Sequence, residues 1–448
     1  MYRFLSLLVF FILLSLPLAS PTAIQKRSFS VKRVPNPAFT GRDGSKALAK
    51  AYRKYNIPLP QPLQNTLDAR QSILHQHVNH KRSYRVATNP HVRGSHYSKM
   101  GSHAYPRVQA QPYPLANRTN QTGVVEASPE KGDVEFLSPV KIGGQELTLD
   151  FDTGSSDLWV FNSQLGKDTT AGHQVYDPKK SKTFTKLEGH EFRIRYGDGS
   201  GARGNVGTDV VEVGGATVSE QPVQLATELT GTFLNDQSND GLLGLAFSKL
   251  NTVKPNKQKT FFENVKDSLS EPLFTADLRK GSAGAYNFGH IDHSRFKGDL
   301  HWLPINETKG FWQFSSEHFA LDDQEPQPST PGAQAIVDTG TTLILADEKI
   351  ATAYYAQVEG AQQDDDRGGY TFPCDQELPD LHLDIGGVYM ARVDGNDLNF
   401  SETGNNMCFG GIQAAPRGGV GIYGDIFLKS HFVVFHGGNN SLGVAPHA

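Results

Sequence analysis

Apolar positions along this chain fall into short runs and two-residue alternations more often than into helical spacing. Phe192, Ile194 and Tyr196 alternate with polar residues and run into Asp198-Gly199, a strong hairpin-tip pair. Asp209-Val210-Val211-Glu212-Val213-Gly214-Gly215 reads as a second hairpin. Leu147-Thr148-Leu149-Asp150-Phe151 and Ala335-Ile336-Val337 are strand-like runs, and each leads directly into an Asp-Thr-Gly triplet. Helical spacing is confined to three places. Residues 45–56 put Ala47, Leu48, Ala51, Tyr52 and Tyr55 on one face and Lys46, Lys50, Arg53 and Lys54 on the other, with Pro58 and Pro60 as the stop. Thr260 and Glu263 form a capping-box pair that opens a second helix. A third starts near Asp347, stacks Ile350, Tyr354 and Val358, and stops at Gly360. Together with 45 glycines, this pattern predicts a mainly β protein.

The triplets carry the chemistry. Asp152-Thr153-Gly154-Ser155-Ser156 and Asp338-Thr339-Gly340-Thr341-Thr342 lie 186 residues apart, each with a hydroxyl pair behind it. One such triplet is ordinary turn material. Two of them suggest facing carboxylates, which cannot both ionise at close range and so share a proton, leaving one general base and one general acid. Aspartic proteases are the standard example of this like-charge effect. The repeat extends further: Asp240-Gly241-Leu242-Leu243-Gly244 ends 92 residues after the first Asp, and the Gly424 that follows Gly421-Ile422-Tyr423 lies 86 after the second. An apolar pair closed by Gly at nearly the same offset in both halves implies a duplicated lobe.

With these motifs in hand, the chain resembles the pepsin-family aspartic endopeptidases, most of all the secreted fungal aspergillopepsin and penicillopepsin group. The resemblance rests on residues 151–161, on Tyr196-Gly197-Asp198-Gly199-Ser200, and on residues 240–247, 335–343 and 424–430. It implies a bilobal pepsin-like acid protease fold of two related β-barrel-like lobes, with the active site in the cleft between them. It implies Asp152 and Asp338 as the catalytic pair holding one water, with no metal, cofactor or covalent nucleophile. Gly154 and Gly340 would let the backbone approach the carboxylates, Ser155 and Thr341 would bond their outer oxygens, and Thr153 and Thr339 would clasp the lobes. Tyr196, Gly197 and Asp198 would form a flap over substrate, with Trp159 supporting Tyr196. Phe233, Leu242, Trp312 and Ile422 are candidate pocket walls, with core packing as the competing role. Asp150 and Asp198 are candidate acceptors for a substrate lysine.

Charge and compartment refine this picture. Residues 21–118 hold 17 Lys or Arg against Asp43 and Asp68, whereas residues 119–448 hold 25 basic and 45 acidic residues. A basic arm on an acidic body can be a nucleic-acid tail. The catalytic motifs favour a docked inhibitory propeptide instead, and the acidic body argues against nucleic acid. Residues 1–20 read as a signal peptide, with Arg3 and an apolar run over 4–14 too short for a membrane span. No lipid anchor is expected from the C-terminal residues. A dibasic Lys26-Arg27 site follows the leader, 29–34 is strand-like, and 61–118 lacks periodicity and reads as disordered. The histidines at 75, 77, 80, 91, 96 and 103 are too irregularly spaced for a metal site. The expected organisation is a basic propeptide over 21–118, an N-terminal catalytic lobe over 119–305 and a C-terminal one over 306–448. Sequons at Asn117, Asn120, Asn306, Asn399 and Asn439 fit secretion. In an oxidising compartment Cys374 and Cys408 read as one disulfide. The expected partners are protein and peptide substrates and the chain's own propeptide, acting on a monomer. A pepsin homologue without activity, serving as a binding protein, is the main alternative, and both intact triplets oppose it.

Overall fold

The computed structural model describes residues 41–70, 121–129, 135–195, 201–230, 233 and 238–448. The leader, the dibasic site, the 29–34 segment, the 71–118 stretch, Asn117, Asn120 and the flap residues Tyr196, Gly197 and Asp198 lie outside the described residues.

The chain is mainly β, and six strands close into a barrel. Around it run Phe136–Ile142, Gln145–Asp152, Gly241–Gly244, Leu158–Val160, Ala216–Thr230 and Gly201–Val213, and the last pairs back onto the first through Lys141–Glu212 and Ile142–Val211. The turn between the two longest strands is Gly214-Gly215, both at positive φ, 58° and 109°, where glycine is the unstrained residue.

The C-terminal half repeats the central pairings. Gln145–Asp152 runs parallel to Gly241–Gly244, which runs antiparallel to Leu158–Val160. Correspondingly, Gln334–Val337 runs parallel to Gly421–Tyr423, which runs antiparallel to Ile344–Ala346. Leu158–Val160 and Ile344–Ala346 each take a further parallel neighbour. The duplicated triplets therefore sit at matching points of two matching strand sets. A base of antiparallel strands, Leu273–Arg279, Ser282–Phe288, His431–His436 and Ser441–Pro446 among them, joins the halves. Phe262, Phe274, Trp312 and Phe435 pack there as stacked and edge-on aromatics. Cys374 and Cys408 are bonded to each other.

The helices depart from expectation in instructive ways. Helix α1 spans Gly44–Lys54, capped by the Asp43 carboxylate accepting from the Lys46 amide. Leu48, Ala51 and Tyr52 are buried as the pattern predicts, but Lys54 is not on a solvated face: its side chain is 6% exposed. Residues 61–70 are helical, with Leu63 fully buried, so the aperiodic segment does not begin at 61. Pro62 suits a first helical turn, where its missing N–H is no loss. Thr260 caps Phe261–Val265, yet the Glu263 carboxylate accepts from the Ser248 amide instead of closing the box. The Asp347 helix ends at Tyr355, before Gly360.

Asp240 fastens the approach to the first triplet. Its carboxylate accepts from the Thr148 amide at 2.9 Å and the Gln174 amide at 2.7 Å, while its own amide donates to the Thr148 carbonyl. Burial outweighs those two bonds and pushes the Asp240 carboxyl up to about 7. A carboxyl raised above its unfolded value favours the native state when protonated. That advantage is complete below about pH 4 and is lost as the pH rises towards 7, a change of up to about 4 kcal/mol. Asp240→Asn is therefore expected to flatten the fall in urea midpoint between pH 4 and pH 7. An unchanged slope in the variant would contradict the assignment.

Candidate active site

Two strand ends bring the triplets face to face. Asp152 ends Gln145–Asp152, and its carbonyl accepts from the Leu245 amide at 2.7 Å. Asp338 follows Gln334–Val337, and its amide donates to the Tyr423 carbonyl at 3.0 Å. Each peptide is thus tied to the parallel strand beside it. The hydrophobic runs before the triplets supply those strands: Phe151 is fully buried and Ile336 and Val337 nearly so.

Threonine side chains bind the two loops across the interface. The Thr153 amide donates to Thr339 Oγ1 and the Thr339 amide to Thr153 Oγ1, both at 3.0 Å. Each hydroxyl in turn donates across the interface, Thr153 to the Val337 carbonyl at 2.9 Å and Thr339 to the Phe151 carbonyl at 2.5 Å. These four bonds satisfy six buried polar groups, three from each side of the interface.

The carboxylates are held alike. Asp152 Oδ1 accepts from the Gly154 amide at 2.8 Å and Oδ2 from the Ser155 hydroxyl at 2.6 Å. Asp338 Oδ1 accepts from the Gly340 amide at 3.1 Å, and Oδ2 from the Thr341 hydroxyl. The glycines are required by crowding, not by φ. A Cβ on Gly154 would lie 2.5 Å from Asp338 Oδ1, and one on Gly340 would lie 2.6 Å from Asp152 Oδ1.

Between the two carboxylates sits a cation from α1. Lys54 Nζ is 2.7 Å from Asp152 Oδ1 and 2.8 Å from both oxygens of Asp338. The Tyr55 hydroxyl donates to Asp338 Oδ2 at 2.6 Å. Burial would lower the Lys54 ammonium, but the two adjacent carboxylates outweigh it and hold it above the ordinary lysine range. Burial likewise pushes Asp338 up, yet the Lys54 charge and bonds from Lys54, Thr341 and Tyr55 bring it down to about 2. Asp152 goes the other way, because burial and its like-charged neighbour Asp338 exceed the pull of Lys54. The asymmetry comes from the Lys54 ammonium and the Tyr55 hydroxyl, which give Asp338 more bonds than Asp152.

The remaining candidates are dispersed. Trp159 is fully buried, with Phe233 edge-on at 4.7 Å and Leu242 in the same cluster. Trp312 and Ile422 are 1% exposed; Trp312 packs on Phe274 and Phe435 and donates to the Leu245 carbonyl, and Ile422 lies in the strand Gly421–Tyr423 beside Gln334–Val337. Asp150 is 3% exposed, and its Oδ1 has no hydrogen-bond partner among the described residues. Asn306 and Asn439 are exposed, whereas Asn399 is half-buried in a strand. The resemblance implied that one lysine of this helix pairs with the two aspartates without choosing which, and sequence reasoning gave Tyr55 no role at the dyad. The adjacent Lys54-Tyr55 pair at the end of a helix, just before Pro58, was the available signal.

Two lobes that each present a hydroxyl-backed Asp across a clasped interface are the arrangement of a carboxyl-dyad hydrolase. A family model described as eukaryotic aspartyl protease matches residues 135–447, and the chain belongs to that family. It is 42% identical over 457 residues to "Aspartic protease PEP3" of Coccidioides posadasii, covering all of this chain and 96% of that protein. It is 46% identical to "Penicillopepsin-2" of Penicillium janthinellum over 73% of this chain and 82% of the relative. "Aspergillopepsin-1" of Aspergillus oryzae is 47% identical over 73% of this chain and 80% of its own length. The protein is an aspartic endopeptidase of the aspergillopepsin and penicillopepsin type.

Proposed function

We propose that this chain is a secreted endopeptidase, made as a zymogen, that cleaves proteins at acid pH through a water activated by Asp152 and Asp338. The observation that carries the reading is Lys54 Nζ, within 2.8 Å of both carboxylates, in the place that an attacking water needs. In the mature enzyme the ionised carboxylate takes a proton from water as it attacks the peptide carbonyl. The protonated one donates to the carbonyl oxygen, then helps protonate the leaving nitrogen. Residues 1–20 act as signal peptide and 21–118 as propeptide, followed by catalytic lobes over 119–305 and 306–448. Asn306 and Asn439, both exposed, are the better-placed described glycan acceptors. Among the described residues no helix is long and apolar enough to cross a membrane.

Each carboxylate has its own role, so neither replaces the other. Asp152→Asn and Asp338→Asn are each expected to abolish proteolysis at acid pH while circular dichroism and melting stay near wild type. Substantial turnover by either purified variant contradicts the dyad.

Specificity follows from apolar subsites, giving broad cleavage at large hydrophobic residues. A secondary activity after Lys is expected where an acidic flap side chain can receive the ammonium, because a charge desolvated without a partner is costly. The check is a pair of peptides with Phe or Lys before the same bond, assayed with wild type and Asp198→Thr. Selective loss of Lys cleavage supports the reading. Equal loss on both peptides, or no Lys cleavage by wild type, sinks it.

A further inference from the structure

Trp302 is the only exposed Phe, Tyr or Trp among the described residues, at 41%, whereas Trp159 and Trp312 are 0% and 1% exposed. It belongs to His301–Pro304, the edge strand of the base, and pairs with Gly443 of Ser441–Pro446. The indole lies flat on that glycine: a Cβ there would meet Cε3, Cζ3 and Cη2, each at 3.2 Å. Three successive ring carbons at one distance mean an approach from the face, since an edge approach would bring Cζ3 nearest. Covering a strand glycine accounts for one face of the ring. It leaves the opposite face to solvent.

A glycan acceptor stands beside that face. The turn between His431–His436 and Ser441–Pro446 carries the sequon Asn439-Asn440-Ser441, with Asn439 exposed. The His436 ring stands edge-on to Trp302, with 6.0 Å between centroids and planes 75° apart. Its Nδ1 accepts from the Gly438 amide at 3.2 Å and from the Asn439 amide at 3.3 Å. One imidazole therefore separates the Asn439 backbone from the indole. The Asn439 side chain is oriented as well: its Oδ1 accepts from the Ser441 hydroxyl at 2.6 Å, and Nδ2 is the atom that would carry a glycan. Asn306, the other exposed sequon among the described residues, is placed less well. It follows Trp302 by four residues on extended backbone, about 13 Å along the chain. Its side chain leans onward to accept from the Thr308 amide.

We propose that Asn439 carries an N-linked glycan whose inner N-acetylglucosamine packs on the open face of Trp302, so that the indole is a saccharide platform built into the base of the enzyme. The inference rests on reading Asn439 as a glycan acceptor. Attachment forms a bond from Asn439 Nδ2 to the sugar C1; Nδ2 gives up one proton, and the diphosphate of a lipid-linked oligosaccharide donor leaves. The stacking follows from complementary faces. A pyranose presents polarised C–H groups on its apolar side, and the indole face is electron-rich. The contact also takes exposed apolar ring surface out of water.

The test is collisional quenching of tryptophan fluorescence by acrylamide, on the full-length protein from a glycosylating host. The chain has three tryptophans and two are buried, so quenching reports on Trp302. Asn439→Gln, and enzymatic removal of the whole glycan from the folded wild type, are each expected to raise the quenching constant about twofold, because a stacked sugar covers the ring face that the sheet leaves open. Trp302→Phe should abolish the difference, and Asn306→Gln should not produce it. Glycopeptide mass spectrometry reads occupancy in parallel. An unmodified Asn439 overturns the acceptor reading and the proposal with it. A glycan on Asn439 with equal quenching before and after its removal overturns the stacking alone, as does an equal rise in Asn306→Gln.

Discussion

The constraint on which this structure turns is the cost of burying two carboxylates side by side. Asp152 and Asp338 are 1% and 0% exposed, and a pair of like charges in that setting must hold a proton or a cation between them. The chain supplies the cation from its own α1, and Lys54 adopts a position bonded to both groups. Removal of that helix would leave the pair to take up a proton, which converts a neutralised ion cluster into an acid and a base. On the zymogen reading proposed above, inhibition and catalysis come from one electrostatic demand met in two ways.

Everything nearest the pair serves to keep the two carboxyls together despite their repulsion. The parallel strand beside each Asp fixes its backbone, the Thr153 and Thr339 bonds join the loops, and the glycines remove the Cβ atoms that would collide with the opposite carboxylate. None of these contacts is strong alone, since a net hydrogen bond contributes about 1 kcal/mol. Their effect is cumulative, because all are buried and reciprocal, so losing one leaves an unsatisfied partner in the other lobe.

Much of the site was legible in the chain because its chemistry demands particular residues at duplicated positions. The two triplets, their hydroxyls and the apolar strands before them needed no coordinates, and the spacing of Asp240–Gly244 and Gly421–Gly424 announced the matching lobes. The α1 periodicity also placed Leu48, Ala51 and Tyr52 in the interior. What the pattern could not do was choose among Lys46, Lys50, Arg53 and Lys54, which occupy one polar face and differ only in what the folded body puts opposite them. Depth was equally hidden: the local sequence of Trp312 does not announce that it packs on Phe274 and Phe435 and is 1% exposed. Helix 61–70 was missed because Pro58 and Pro60 read as terminators, while Leu63 and Leu67 at four-residue spacing after Pro62 carried a weaker signal.

The central claim, that the dyad is intact in the precursor and closed by one lysine, has a direct measurement. A statine-type transition-state analogue can be titrated calorimetrically at pH 7 into the intact wild-type precursor and into its Lys54→Met variant. The account predicts no detectable binding to wild type and measurable binding once the ammonium is gone. Equal affinity for the two precursors would contradict it.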